Sequence, residues 1–235
     1  MPANLISRFN KMETTTTKSA EARSAVTQAI AGQSSICLTC SFQAEDMVAL
    51  HLVRERLPNV PVLFLETGYH FDEVYKYRDE MTAKYGLKLV NVMPERTVAE
   101  QETTFGILYQ TEPDKCCKLR KVGPLFNALQ NYDVWFTGLR RVQSPTRANL
   151  QVFDTFPLPT GKKLSKVSLL ADWTDKDVWD FAKQHDIPLL SLYQAGYTSI
   201  GCEPCTALPA DPANARSGRW AGRKLECGIH IAEPK

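Results

Sequence analysis

Four cysteines stand in two separated pairs: Cys116-Cys117 within Asp114-Lys115-Cys116-Cys117-Lys118-Leu119-Arg120-Lys121, and Cys202 with Cys205 within Gly201-Cys202-Glu203-Pro204-Cys205-Thr206. A Cys-x-x-Cys spacing lets two sulfurs reach one ion or cluster, and a second pair supplies the other half of a four-thiolate donor set. Adjacent side chains on a helix diverge by about 100°, so Cys116 and Cys117 can serve one centre only where the backbone bends or the centre is wide. A multi-iron cluster meets that condition better than one tetrahedral zinc, although the spacing itself leaves zinc open beside iron-sulfur. The plainer readings are a redox dithiol or buried, unreactive thiols. A disulfide framework is not expected. Met1 to Arg8 lacks the basic start, apolar core and cleavage site of a secretory signal, so a reducing, cytoplasmic setting is expected.

Basic residues gather near both pairs. Between Lys115 and Arg147 lie Lys115, Lys118, Arg120, Lys121, Arg140, Arg141 and Arg147 against one acid, Asp133, and four more (Arg216, Arg219, Arg223, Lys224) follow with no acid between Arg216 and Lys224. Any one of them reads as a solvated surface charge. Two basic stretches converging on a thiol site suit a small anionic substrate. The net charge of only +2 argues against a nucleic-acid binder, and the longest apolar run, Val60 to Leu65, is too short for a membrane span. With 235 residues, 43% of them hydrophobic and 23% charged, the composition is that of a globular domain needing no cysteine staples.

The elements that must position these groups follow from periodicity. Residues 1–18, with Thr14 to Thr17, read as a flexible leader, followed by a helix around 19–31. Strands are expected at Ser35 to Cys40, Val62 to Leu65, Leu87 to Val92, Asp133 to Thr137, Gln151 to Phe156 and Lys166 to Leu170. Helices are expected between them, at Met47 to Leu57, Phe71 to Tyr85, 97–110 and 115–130. Strand alternating with helix predicts an α/β fold: a single doubly wound, mostly parallel sheet flanked by helices. Ligands of such sheets sit at the carboxyl ends of the strands. Ser41 to Asp46, Thr67-Gly68 and the arginine-rich Gly138 to Arg147 close three of them. Ser41 and the amides behind it suit an oxyanion at a helix start, whereas Glu45 and Asp46 are also ordinary first-turn acids. Thr174 with Asp177 reads as a helix cap. Cys37 and Cys40 read as buried thiols, and His51, His70 and His185 as surface or packing residues.

Residues 216–235 form a separate C-terminal segment. It carries Cys227 within Glu226-Cys227-Gly228-Ile229-His230. A terminal segment is a poor place for a structural thiol but can swing over a substrate and away again.

Taken together, the tandem Cys116-Cys117 with Lys121, the Cys202/Cys205 pair and the Glu226 to His230 ending resemble the assimilatory adenylyl-sulfate (APS) reductases of the phosphoadenylyl-sulfate reductase superfamily. The resemblance runs over about residues 35–230. It implies an adenine nucleotide alpha hydrolase-like fold, with 19–215 as the nucleotide-binding domain and 216–235 as a mobile catalytic tail. It implies that Cys116, Cys117, Cys202 and Cys205 hold a 4Fe-4S cluster, and that Cys227 attacks the sulfur of APS, releasing AMP and leaving an S-sulfocysteine. Thioredoxin or a glutaredoxin-like dithiol, acting in trans because the chain ends soon after His230, then releases sulfite. Ser41, Asp46, Thr67, Gly68, Lys121, Arg140, Arg147, Arg216 and Arg219 are implied as substrate-binding residues. Glu66 departs from the family's commoner Asp.

An ordinary cysteine is about 3% thiolate at pH 7. Lowering its pKa by two units raises that fraction roughly 25-fold but costs roughly 6- to 10-fold in nucleophilicity, so the cations are expected to act mainly on the substrate's charge. The cluster's role is expected to be electrostatic rather than redox. The rival readings are a reductase for the 3′-phosphorylated substrate, PAPS, or for both substrates, and a non-catalytic iron-sulfur nucleotide-binding redox sensor. A homo-oligomer is left open.

Overall fold

In the computed structural model, residues 3–211 and 214–230 are described, with side chains from residue 16 onward. The first helix, α1, runs Ala3–Ile30 and absorbs most of the segment expected as a leader. No Gly or Pro interrupts that stretch, so nothing forces the helix to start where its apolar face begins.

The chain then alternates through β1 (Ile36–Thr39), α2 (Ala44–Arg54), β2 (Pro61–Leu65), α3 (Asp72–Tyr85) and β3 (Lys88–Val92). Short helices α4 (Val98–Phe105), α5 (Leu108–Thr111) and α6 (Pro113–Cys117) lead into a π-helical turn over Lys118–Val122 and then α7 (Gly123–Leu129). Strands β4 (Val134–Thr137), β5 (Phe153–Pro157) and β6 (Lys163–Ser168) complete the sheet, and α8 (Asp175–Gln184) closes it. Thr174 and Asp177 form the expected reciprocal cap of α8.

Among the described residues the sheet has six strands in the order β3-β2-β1-β4-β6-β5, parallel throughout except for β5. The mostly parallel, doubly wound sheet is therefore as expected. The antiparallel β5/β6 pair reflects a connection over residues 158–162 that is too short for a crossover helix.

Both faces are buried, and period-two alternation divides the strand residues between them. Ile36, Leu38, Phe64, Val134 and Phe136 face a core shared with α1, α2, α3 and α8. Cys37, Leu63, Trp135 and Leu164 face the opposite core, with Leu125, Phe126 and Leu129 of α7. Cys37 and Cys40 consequently belong to different cores despite their Cys-x-x-Cys spacing. Burial pushes both thiols up, which fits the reading as inert packing thiols.

From β1 the chain first winds outward through β2 to β3, then returns so that β4 pairs on the other side of β1. The crevice between the carboxyl ends of β1 and β4 is the topological switch point, where open α/β sheets bind ligands.

Candidate active site

A cavity of about 920 Å³ opens over that crevice. Its β1 side is the loop Ser41–Gln43. Phe42 takes a left-handed backbone (φ 62°), uncommon for a residue with a side chain, and buries its ring against Phe64 and Tyr77. That anchor leaves Ser41 facing the cavity. Asp46, in the first turn of α2, is half-buried and accepts hydrogen bonds from the Ser41 amide (2.7 Å) and hydroxyl (2.6 Å), and from the Gly138 amide at the end of β4. Burial and the neighbouring Glu45 push the Asp46 carboxyl up to about 6 in spite of these donors. Asp46 therefore ties two strand ends together as well as lining the cavity.

The arginine loop follows β4. Arg140 is buried, lines the cavity and pairs with Asp175 of α8 at 2.5 Å. Arg147 has each of its side-chain nitrogens engaged: Nε with Glu226 Oε1 (2.9 Å), Nη2 with Glu226 Oε2 (2.7 Å) and Nη1 with Gln143 Oε1 (2.5 Å). Gln143 in turn donates to Glu45 (2.5 Å), so a polar chain runs from the α2 start to the C-terminal segment.

That segment lies docked on the sheet. Arg223 donates to the Gln110 carbonyl and Lys224 to Asp114. Arg216 holds the Leu225 carbonyl at 3.0 Å, and Ile229 packs on the core that contains Trp135. His230 stacks on Trp135 at 5.3 Å, and its carbonyl accepts from Lys166 at 3.2 Å. Lys166 is 3% exposed and sits over the Trp135 and Phe156 rings; burial pulls its pKa down to about 8. Cys227 is thereby held at the cavity wall with Lys121, Arg216 and Arg219. Residues 231–235 lie outside the described residues.

The two cysteine pairs meet in a second, narrow cavity behind the first, lined by Cys116, Cys117, Cys202 and Cys205 together with Lys121 and Trp220. Cys116 and Cys117 end α6, and the helix switches from α to π hydrogen bonding at the next residue. Lys121 lines both cavities. Burial works against its charge, yet Cys202, Cys227 and Cys117 together hold its pKa above the usual lysine value. Cys202 is buried, which alone would raise its pKa. Lys121, the Thr67 hydroxyl (3.3 Å from Sγ) and Arg219 outweigh that and hold it low. Trp220, itself 3% exposed, is the platform for the cations: Arg219, Lys224 and Arg216 lie 4.4, 5.3 and 5.6 Å from its ring centre.

Of the residues expected to bind substrate, Ser41, Asp46, Lys121, Arg140, Arg147, Arg216 and Arg219 line the large cavity. Thr67 and Gly68 do not. Thr67 is fully buried, and Gly68 packs against Val98 and the Arg120 guanidinium, so the turn after β2 supports the thiol cavity instead. His70, expected as a surface or packing residue, also lines the large cavity, its Nε2 donating to the Leu65 carbonyl at 2.8 Å beside the Phe64 ring. Residues to which the sequence assigned no role of their own are Glu226, Lys166, Trp135 and Trp220.

The phosphoadenosine phosphosulfate reductase domain profile matches residues 35–208. The chain is 48% identical over 203 residues to the adenosine 5′-phosphosulfate reductase of Mycobacterium tuberculosis H37Rv, covering 83% of this chain and 78% of that one. It is 46% identical over 190 residues to the enzyme of that name from Mycolicibacterium smegmatis, covering 80% and 79%. Among solved structures it resembles a phosphoadenylyl-sulfate reductase from Candida auris in a phosphate complex, with TM-score 0.69, 22% identity, and 80% of this chain and 90% of that one covered. It also resembles the Candida glabrata FMN adenylyltransferase, with TM-score 0.63, 17% identity, and 84% and 65% covered. At those identities the likeness is one of fold.

Proposed function

The chain belongs to the phosphoadenosine phosphosulfate reductase domain family, and from that premise we propose that it is an oxidoreductase that reduces adenylyl sulfate to sulfite and AMP in sulfate assimilation. The observation that carries this reading is that a thiol on the C-terminal segment, Cys227, and four cations from three separate stretches (Lys121, Arg147, Arg216 and Arg219) line one cavity over the switch point. A nucleophile that must approach a doubly charged phosphosulfate needs that convergence, because thiolate and substrate otherwise repel.

In this mechanism Ser41 and the arginines orient the nucleotide at the strand ends, and the Cys227 thiolate attacks the sulfur of the sulfuryl group. The sulfur–oxygen bond to the phosphate breaks, AMP leaves with the bridging oxygen, and Cys227 carries a thiosulfonate. Lys121 and Arg219 face the developing charge. A dithiol reductant, thioredoxin or glutaredoxin-like, then attacks Cys227 Sγ. Sulfite departs with the electron pair, and the second thiol of the reductant resolves the mixed disulfide, so that the reductant is oxidised by two electrons and Cys227 returns as a thiol. The stretch around Cys227 would have to leave the cavity for that second step.

The thiol cavity fits a 4Fe-4S cluster by its donor set: four cysteines, no competing carboxylate among its lining residues, and a lysine at its wall. Cys116, Cys117, Cys202 and Cys205 would hold it. When bound, it would supply a compact anionic charge behind the substrate site. Lys121, which lines both cavities, would balance that charge and orient the substrate's sulfate towards Cys227. No helix among the described residues is long and apolar enough to cross a membrane.

Mixing anaerobically purified protein with adenylyl sulfate or its 3′-phosphorylated form, without reductant, tests the reading by intact mass and peptide mapping. Sulfonation of Cys227 by adenylyl sulfate alone is expected. Reaction with both would make the enzyme a dual reductase, and reaction with the 3′-phosphorylated form alone would reassign its substrate. If neither modifies Cys227, the reductase reading falls and a redox sensor replaces it.

A further inference from the structure

Glu226 adjoins the Cys227 nucleophile in the chain. Its carboxylate takes Arg147 in a fork of 2.9 and 2.7 Å, accepts from the Thr146 hydroxyl at 3.0 Å, and lies 3.8 Å from Arg216. Both partners of the fork are largely dry, with side-chain exposures of 12% for Arg147 and 9% for Glu226. Since Gln143 takes Nη1, every side-chain nitrogen of Arg147 already has a partner, and an anion can take the fork only by displacing Glu226 from it. A planar carboxylate and a tetrahedral phosphate or sulfate can each present two oxygens to a guanidinium fork, so they compete for it.

We propose that Glu226 is an internal anion that occupies the substrate's oxyanion position on Arg147 and Arg216, so that adenylyl sulfate binds by displacing it. The proposal rests on the reading of this cavity as the adenylyl-sulfate site. Displacement does not free the segment. The Leu225 carbonyl stays with Arg216 at 3.0 Å, and the His230 carbonyl with Lys166 at 3.2 Å. Those two bonds flank Cys227, so the side chain next to the nucleophile exchanges with substrate while the backbone remains seated. A nucleoside without an anionic group has nothing to offer Arg147 and leaves Glu226 in place. The exchange thus favours ligands that carry the group to be transferred, and it keeps the arginines paired when the site is empty.

The test is equilibrium binding of adenylyl sulfate and of adenosine to anaerobically purified Cys227→Ser protein, with and without Glu226→Gln, and again in an Arg147→Gln background. Removing the internal anion is expected to tighten adenylyl sulfate by at least about fivefold, the low end of coupling between groups that share one element. Adenosine is expected to bind equally to both. The gain is expected to vanish with Arg147→Gln, which a general loosening of the segment would not produce. Equal or weaker binding of adenylyl sulfate to the Glu226→Gln protein, with binding to the parent intact, overturns the proposal alone. Absence of adenylyl-sulfate binding to every variant overturns the reading of the site and the proposal with it.

Discussion

Asp46 and Gly138 meet across the switch point so closely that a Cβ on Gly138 would fall inside the contact shell of Asp46 Oδ1, and would also crowd the α2 backbone at 3.0 Å. The obstacle is backbone and a hydrogen-bonded carboxylate rather than the free end of a side chain, so it cannot move aside cheaply. Gly138→Ala is expected to cost about 1–3 kcal/mol of stability, in the range of overpacked sites. It should also weaken nucleotide binding by opening the β1/β4 crevice. Urea denaturation and nucleotide titration of the same preparation check both effects.

The Asp46 carboxyl provides a pH signature. Its pKa stands at about 6 in the folded chain, above the ordinary carboxylate value it regains on unfolding. A raised folded value favours the protonated form, so this group's contribution is fully present below about pH 4 and is lost as pH rises through about 6. The loss is roughly 1–2 kcal/mol after allowing for partial solvent screening. Buried histidines titrate in the opposite sense, so the comparison must be with a variant. Between pH 5 and pH 7.5, wild-type stability is expected to fall relative to Asp46→Asn; parallel pH profiles for the two would refute this.

Gly201, beside Cys202, faces the Arg219 guanidinium with no room for a Cβ. Here the obstacle is the end of a long side chain. Gly201→Ala is therefore expected to fold with a loss under about 1 kcal/mol, while Arg219 is driven off its place at the cavity wall. Sulfonation of Cys227 should slow by about tenfold or more, as loss of one preorganised charge contact does. An unchanged rate would mean that Arg219 does not act on the substrate.

Lys166 is expected to separate stability from activity. Its pKa, pulled down to about 8 by burial, makes the ammonium unfavourable in the folded chain at neutral pH. A depressed folded value means that the group's stabilisation is present only above the usual lysine pKa and is lost as pH falls through about 8. Lys166→Met is expected to raise stability at pH 7 by up to about 2 kcal/mol. It also removes the hydrogen bond to the His230 carbonyl, so Cys227 sulfonation should slow in the stabler protein. Thermal unfolding and single-turnover mass spectrometry of the variant decide the two halves separately.

The chemistry and the scaffold were largely legible from residue types. Cys-x-x-Cys and Cys-Cys spacings, the arginine stretches and the Glu226 to His230 ending are local patterns, and short, largely continuous apolar runs at 35–40, 62–65 and 133–137 mark strands buried on both faces. The start of α1 was misplaced because helix continuation needs only the absence of breakers, which a hydrophobic pattern does not report. The β5/β6 hairpin was missed as a hairpin because strand direction depends on which edge is free.

What only the tertiary structure decided is which groups face each other. Sequence put Thr67-Gly68 in the same class of strand-end turn as Ser41 and Gly138, but the packing of Arg120 and Val98 turns it towards the thiols. The pairing of Glu226 with Arg147 joins residues 79 positions apart. Long-range juxtapositions of this kind depend on how the C-terminal segment packs over Trp135 and Lys166, and no local preference of either partner encodes it.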